Sequence, residues 1–190
     1  DVVVVTNPNN PDGRSHTTDD LARAADALHE RGGLLVIDEA FADVQPEHSM
    51  AGRTNMDGIV VTRSFGKFFG LAGVRIGFAI TNQVLGPKLQ NQLGPWPAAG
   101  PSIAVATTAL RDLDWQQNQR RQLTGHHAAL CTVLQQAGLS VLGGTDLFTL
   151  VEHRNARALW QHLAQHHILT RRFDEQPTWL RLGLASDTAA

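Results

Sequence analysis

Residues 2–5 are an unbroken apolar run, VVVV, which predicts a strand covered on both faces, as in a parallel sheet. The turn chemistry of NPNNPDG ends it. Leu21, Ala24, Ala25 and Leu28 then recur at helical spacing. Thr17 or Thr18 can cap that helix, Asp19 and Asp20 suit its first turn, and Gly32 or Gly33 stops it. Residues 34–37 read as a second buried strand, so the chain opens with a right-handed βαβ unit. Strands follow at 59–62 and 74–80, separated by the turn SFGKFFGLAG. Helices are predicted over 83–93 and 102–111, with Pro101 at the first helical position of the latter. GPWPAAGP between them reads as a linker, whose Trp96 is expected to pack at a domain junction. A long amphipathic helix over 114–137 carries Trp115, Leu130, Val133 and Leu134. Strands at 139–142 and 147–152, a helix over 156–166 capped by Asn155, and strands at 168–170 and 179–184 complete the pattern. The fold class is α/β. A mostly parallel sheet flanked by helices fills residues 1–105, and a small α+β domain fills 106–190.

Composition narrows the function classes. Hydrophobic residues at 42% and charged residues at 18% describe an ordinary globular chain, and a net charge of -2 gives no reason to expect nucleic acid or an anionic membrane as partner. No apolar run reaches membrane-spanning length, and the cytoplasm is the expected compartment. The lone Cys131 excludes an intrachain disulfide framework; in the long helix it is expected to be buried and inert. His162 and His166 share a helix face, yet no glutamate stands between them in the HExxH manner, so no metal is expected. The chain begins inside a buried-strand pattern without Met or lead-in, which reads as a chain whose N-terminal part is missing.

Chemistry concentrates in residues 34–78. Asp38 ends one apolar run, Ser64 and Lys67 follow the next, and Arg75 opens a third. In open α/β sheets, ligands bind beyond the carboxyl ends of the strands, where Asn10, Asp38 and the Ser64–Lys67 group all fall. These residues fit pyridoxal 5'-phosphate. An aldehyde cofactor needs an amine (Lys67), a protonated pyridine nitrogen needs a carboxylate (Asp38), and a phosphate needs donors such as the Arg75 guanidinium and the Ser64 hydroxyl. The Asn10 amide can donate to the cofactor's phenolic O3'. Arg181 stands in an alternating strand, WLRLGL. Of the neighbouring Arg171 and Arg172, Arg171 is the better candidate for a substrate phosphate.

The motifs NPNNPDG, VIDEAF, SFGKFFGLAGVRIGF and LRLGL resemble, in order and spacing, those of the class I/II aminotransferase-type pyridoxal-phosphate enzymes, and within them the histidinol-phosphate aminotransferase-like group. The resemblance implies that Lys67 bonds the cofactor, Asp38 partners its pyridine nitrogen, Asn10 binds O3', Ser64 and Arg75 bind the phosphate, and Arg181 grips the substrate α-carboxylate. It also implies a homodimer acting on a small phosphorylated amino acid. More narrowly, DEAFADV, LGPWPAAGPSIAVA and TRRFDEQPTWLRLGLA resemble the threonine-phosphate decarboxylase group of cobalamin biosynthesis, whose product is (R)-1-amino-2-propanol O-2-phosphate. Two alternatives stand beside it: a histidinol-phosphate or related aminotransferase, and a non-catalytic effector domain of a transcription regulator. Phe41 departs from the tyrosine of many aminotransferases and cannot bond O3', which places more weight on Asn10. Asp12 replaces the usual threonine of the NPTG pattern.

Overall fold

The computed structural model describes residues 1–185 and divides into two compact units: Asp1–Asn9 with Ser15–Leu113, and Asn10–Arg14 with Asp114 onward. The first is built on the sheet β1 (Val2–Thr6), β2 (Leu34–Asp38), β3 (Ile59–Ser64) and β4 (Gly77–Thr81), in that spatial order. β1, β2 and β3 run parallel, and β4 returns antiparallel to β3. Helix α1 (Thr18–His29) connects β1 to β2. Its N-cap is Thr17, whose hydroxyl accepts from the Asp20 amide, and its Leu21 and Ala25 pack into a core with Leu35, Ile37, Met50, Ile59 and Val61. Ala22 and Leu28 join that core, whereas Ala24, expected in the stripe, is exposed. Helices α2 (Leu85–Leu93) and α3 (Gly100–Arg111) complete the unit, with proline in the first turn of α3.

The second unit carries α4 (Leu113–Gln136), β5 (Ser140–Thr145), β6 (Phe148–Glu152), α5 (Ala156–Gln165), β7 (Arg171–Arg172) and β8 (Trp179–Gly183). Its antiparallel sheet has the order β5-β6-β8-β7. Leu180 and Leu182 of β8 enter a core with Leu134, Val151 and Ala156, while Arg181 between them points the other way. A one-residue slip would expose two buried leucines, each worth about 1.5–3 kcal/mol, and bury a guanidinium. The register is thereby fixed.

Four expectations are corrected. Val2, Val3 and Val4 are 63%, 40% and 66% exposed rather than covered on both faces, because β1 is the edge strand of the described sheet. Trp96, expected to be packed, is 89% exposed. The strand predicted over 74–80 begins at Gly77, since a 3-10 turn at Ala72–Val74 and a left-handed Arg75 consume its start. The strand predicted over 168–170 is instead β7, two residues, Arg171–Arg172. After α5 the chain turns at His167, with φ 63°, and the Ile168 amide bonds back to the Leu163 carbonyl at 2.9 Å, which ends the helix where a strand was expected.

Candidate functional site

The parallel register places Asp38 opposite Thr62, so the ends of β2 and β3 present their side chains side by side. Asp38 is half-buried. Its Oδ1 accepts from the Ala40 amide at 3.1 Å and from the Thr62 hydroxyl at 3.4 Å, which fixes one carboxylate oxygen and leaves Oδ2 for a ligand. Beneath it, the Asn7 amide donates to the Asp38 carbonyl at 2.9 Å, and buried Asn7 accepts from the His16 amide at 2.8 Å. The loop after β1 is thus tied to the end of β2.

Alternation sends the next residue on each strand to the opposite side, where a buried ion cluster forms. Glu39 is fully buried and accepts from the Met50 amide at 2.6 Å, the Ser49 hydroxyl at 2.5 Å and Arg63 Nη1 at 3.1 Å. Arg63 Nη2 donates to Asp43. Sequence reasoning passed over Glu39 and Arg63. The available signal was the DE pair at a strand end: adjacent residues must face opposite ways, and an acid turned inward requires a base. Each member of the pair is anchored next to a candidate site residue, Glu39 beside Asp38 and Arg63 beside Ser64.

Past β3, the SFGKFFG turn is held by three aromatic side chains. Phe65 stacks on Phe69 at 4.5 Å between centroids, and Phe68 meets Phe69 edge-on at 5.1 Å; all three are buried. Burying Phe65, Phe68 and Phe69 leaves Ser64, Gly66 and Lys67 at the surface of a cavity of about 390 Å³, which Arg75 also lines. Arg75 is a non-glycine residue at φ 52°, ψ 48°. That left-handed conformation costs an L-residue about 1–2 kcal/mol, a strain of the kind held at functional sites. A hydroxyl, an amine and a guanidinium therefore converge on one cavity, a donor set suited to an anion bearing an electrophilic carbon. The Lys67 amine lies 5.6 Å from the centroid of the Phe41 ring, which is itself buried. Where a tyrosine would offer a hydroxyl, this chain offers the amine an aromatic face.

In the second unit, Asn10 accepts a hydrogen bond from Arg181 Nη1. The turn bearing Asn10 is seated by glycines: a Cβ on Gly143 would lie 2.2 Å from the Asp12 carbonyl oxygen, and one on Gly13 would lie 1.8 Å from that of Gly144. Only backbone fits there. Arg181 also rests on the Phe148 ring at 5.1 Å. Its register partner across the β7–β8 ladder is Arg171. Burial first, and the charge of Arg171 second, hold the Arg181 guanidinium below the ordinary arginine value. Like charges directly opposite destabilise a ladder unless an anion compensates them. Arg172 is on the other side, 5.2 Å over the Trp160 ring and 3.2 Å from Asp174, so the register separates the two adjacent arginines. Among the described residues no group of three or more His, Cys, Asp or Glu side chains is placed to hold a metal ion, and no helix is long and apolar enough to cross a membrane.

Comparison with known proteins bears on what this arrangement does. Residues 1–190 match the family described as aminotransferase class I and II. The chain is 46% identical over 190 residues to a threonine-phosphate decarboxylase of Pseudomonas aeruginosa and 43% identical over 192 residues to one of Sinorhizobium sp. These alignments take in 100% and 99% of the chain but 57% and 56% of the relatives, so the chain spans a little over half their length. Among solved structures it resembles the histidinol-phosphate aminotransferase of Sinorhizobium meliloti in complex with pyridoxal-5'-phosphate, with a TM-score of 0.82 and 26% identity over 98% of this chain and 53% of that one. The chain belongs to the class I and II aminotransferase family.

Proposed function

We propose that this protein is a pyridoxal-phosphate-dependent decarboxylase of L-threonine O-3-phosphate, forming (R)-1-amino-2-propanol O-2-phosphate, and that it works as a homodimer. The donor set fits the cofactor. Ser64 and Arg75 would hold its phosphate, Asp38 Oδ2 would accept from its pyridine nitrogen, and Lys67 would supply the amine that anchors it; the family resemblance would have Asn10 donate to O3'. Bound there, the cofactor would supply an electron-withdrawing ring as an electron sink. Arg181 holds the substrate carboxylate and Arg171 its phosphate, and Lys67 Nζ returns a proton to Cα.

The observation that carries the substrate class is the cross-strand pairing of Arg171 with Arg181. Two guanidinium groups opposite one another suit a small molecule with two anionic groups, as threonine O-3-phosphate has. The 43% and 46% identity to threonine-phosphate decarboxylases supports the reaction. A histidinol-phosphate aminotransferase is the second reading, favoured by the Sinorhizobium meliloti structure. Incubation of the full-length protein with threonine O-3-phosphate and cofactor decides between them. CO2 release without an amino acceptor is the expected result; amino transfer to 2-oxoglutarate with no CO2 would establish the second reading instead.

A further inference from the structure

One group of chemically capable side chains takes no part in the assignments above. Thr124, His127 and Cys131 recur at three- and four-residue spacing on α4 and so share a face of that helix, and Asp146, in the turn between β5 and β6, meets them. Cys131 Sγ lies 3.5 Å from His127 Nε2. His127 Nδ1 lies 3.3 Å from Asp146 Oδ1, with the two side chains 22% and 18% exposed. The Thr124 hydroxyl is within reach of both Asp146 Oδ2, at 2.6 Å, and the Arg120 carbonyl, at 3.0 Å. Its single hydrogen goes to the carboxylate, the nearer and charged acceptor. Asp146 is thereby held in place on both oxygens.

The order of partners settles the roles. A carboxylate only accepts, so His127 Nδ1 carries the hydrogen it donates to Asp146, and Nε2 turns its lone pair toward the thiol. The fully buried Thr149 hydroxyl also stands 3.9 Å from Sγ; either atom can donate in that contact, and toward a thiolate the hydroxyl would be the donor. Nucleophile, base and a third group orienting the base are the geometric signature of an activated nucleophile. An Asp–His ion pair alone would be complete without the thiol; the direction of Nε2 gives Cys131 a role. Cys131 is also half-buried instead of sealed in the core, which corrects its expected burial.

We propose that Cys131, His127 and Asp146 form a second reactive site, a base-assisted thiol that exchanges with small disulfides. His127 Nε2 takes the S–H proton as Sγ attacks one sulfur of the disulfide. A new S–S bond forms to Cys131, the original S–S bond breaks, and the proton passes to the departing thiolate. The balance is one thiol and one disulfide giving one mixed disulfide and one thiol; the incoming disulfide is the oxidant and is itself reduced. None of the residues assigned to cofactor or substrate takes part.

The test uses the full-length protein with glutathione disulfide at neutral pH, following the adduct on the Cys131 peptide by mass spectrometry. The folded wild type should react faster than the same protein in urea, on the order of tenfold, and His127→Gln should lose that advantage. Asp146→Asn should lose part of it, and Cys131→Ser should leave the peptide unmodified. In His127→Ala, added imidazole should restore the rate, a rescue that a purely structural histidine would not show. Equal rates for folded and unfolded wild type, or a His127→Gln protein that reacts as fast as wild type, would overturn the proposal. The wild-type comparison decides even if the variants do not fold.

Discussion

The Ser64–Arg75 region and the Arg171–Arg181 strand pair both gather cationic side chains, but they do so by different physical means. In the first, polar groups follow strand ends, and the backbone that aims them is held by buried aromatic rings and by the Glu39–Arg63–Asp43 cluster behind the sheet. Precision there comes from charge and packing beneath the site. In the second, the only ion pair on the other side, among the described residues, is the exposed Arg172–Asp174 pair. Leu180 and Leu182 bury one face of β8, and alternation alone turns Arg181 to the other, opposite Arg171. The first arrangement is costly to disturb from behind, whereas the second is sensitive mainly at the arginines themselves.

That contrast can be broken at either end. Glu39→Ala removes one of the two carboxylates that pair with Arg63, whose side chain is only 17% exposed. Removing one partner of a buried ion pair costs about 3–5 kcal/mol, so chemical denaturation should show a loss of that size. A loss below about 1 kcal/mol would mean that the cluster does not support the strand ends. Arg181→Gln should hardly change stability, since Leu180 and Leu182 still set the register. It should weaken binding of threonine O-3-phosphate by about 1.5–3 kcal/mol, on the order of 10- to 100-fold in KM, as loss of a charge-assisted hydrogen bond does. Arg171→Gln should weaken the phosphorylated substrate more than unphosphorylated threonine. An equal effect on both would remove the phosphate role.

The smallest effect lies outside both regions and calibrates them. Thr17 caps α1 and its hydroxyl donates to Asp20 at 2.6 Å, holding that carboxyl below the ordinary aspartate value. Thr17→Ala should cost about 1 kcal/mol at neutral pH. A depressed carboxyl contributes stability above its unfolded value and loses it as pH falls through its folded one. The deficit of the variant should therefore shrink in acid, which denaturation at neutral and acid pH would reveal. A deficit that grows in acid would contradict the capping geometry.

Much of this was legible in the chain. Lys67, Ser64 and Arg75 fall in one short motif, so their shared cavity follows from local sequence, and Asp38 ends a run that could only be a strand. Arg171 was preferred to Arg172 in the sequence, but its pairing with Arg181 is a matter of cross-strand register, which no local pattern encodes. Glu39 was overlooked because a buried acid and an exposed one look the same in sequence until the inward-facing base, Arg63, is placed beside it. Val2–Val5 misled because a β-branched run records the surroundings a strand is built for, while exposure depends on what else packs there. Cys131 misled as to burial, and its contact with His127, and through it with Asp146 in a hairpin turn, shows only in the fold.

The central claim is that Lys67 is the amine that anchors the cofactor. Borohydride reduction of the full-length protein with pyridoxal phosphate, followed by peptide mapping, tests it most directly. The account predicts a phosphopyridoxyl mass on the Lys67 peptide, together with loss of both that label and the visible absorption of the bound cofactor in Lys67→Ala. A label on another lysine, or visible absorption that survives in Lys67→Ala, would contradict it.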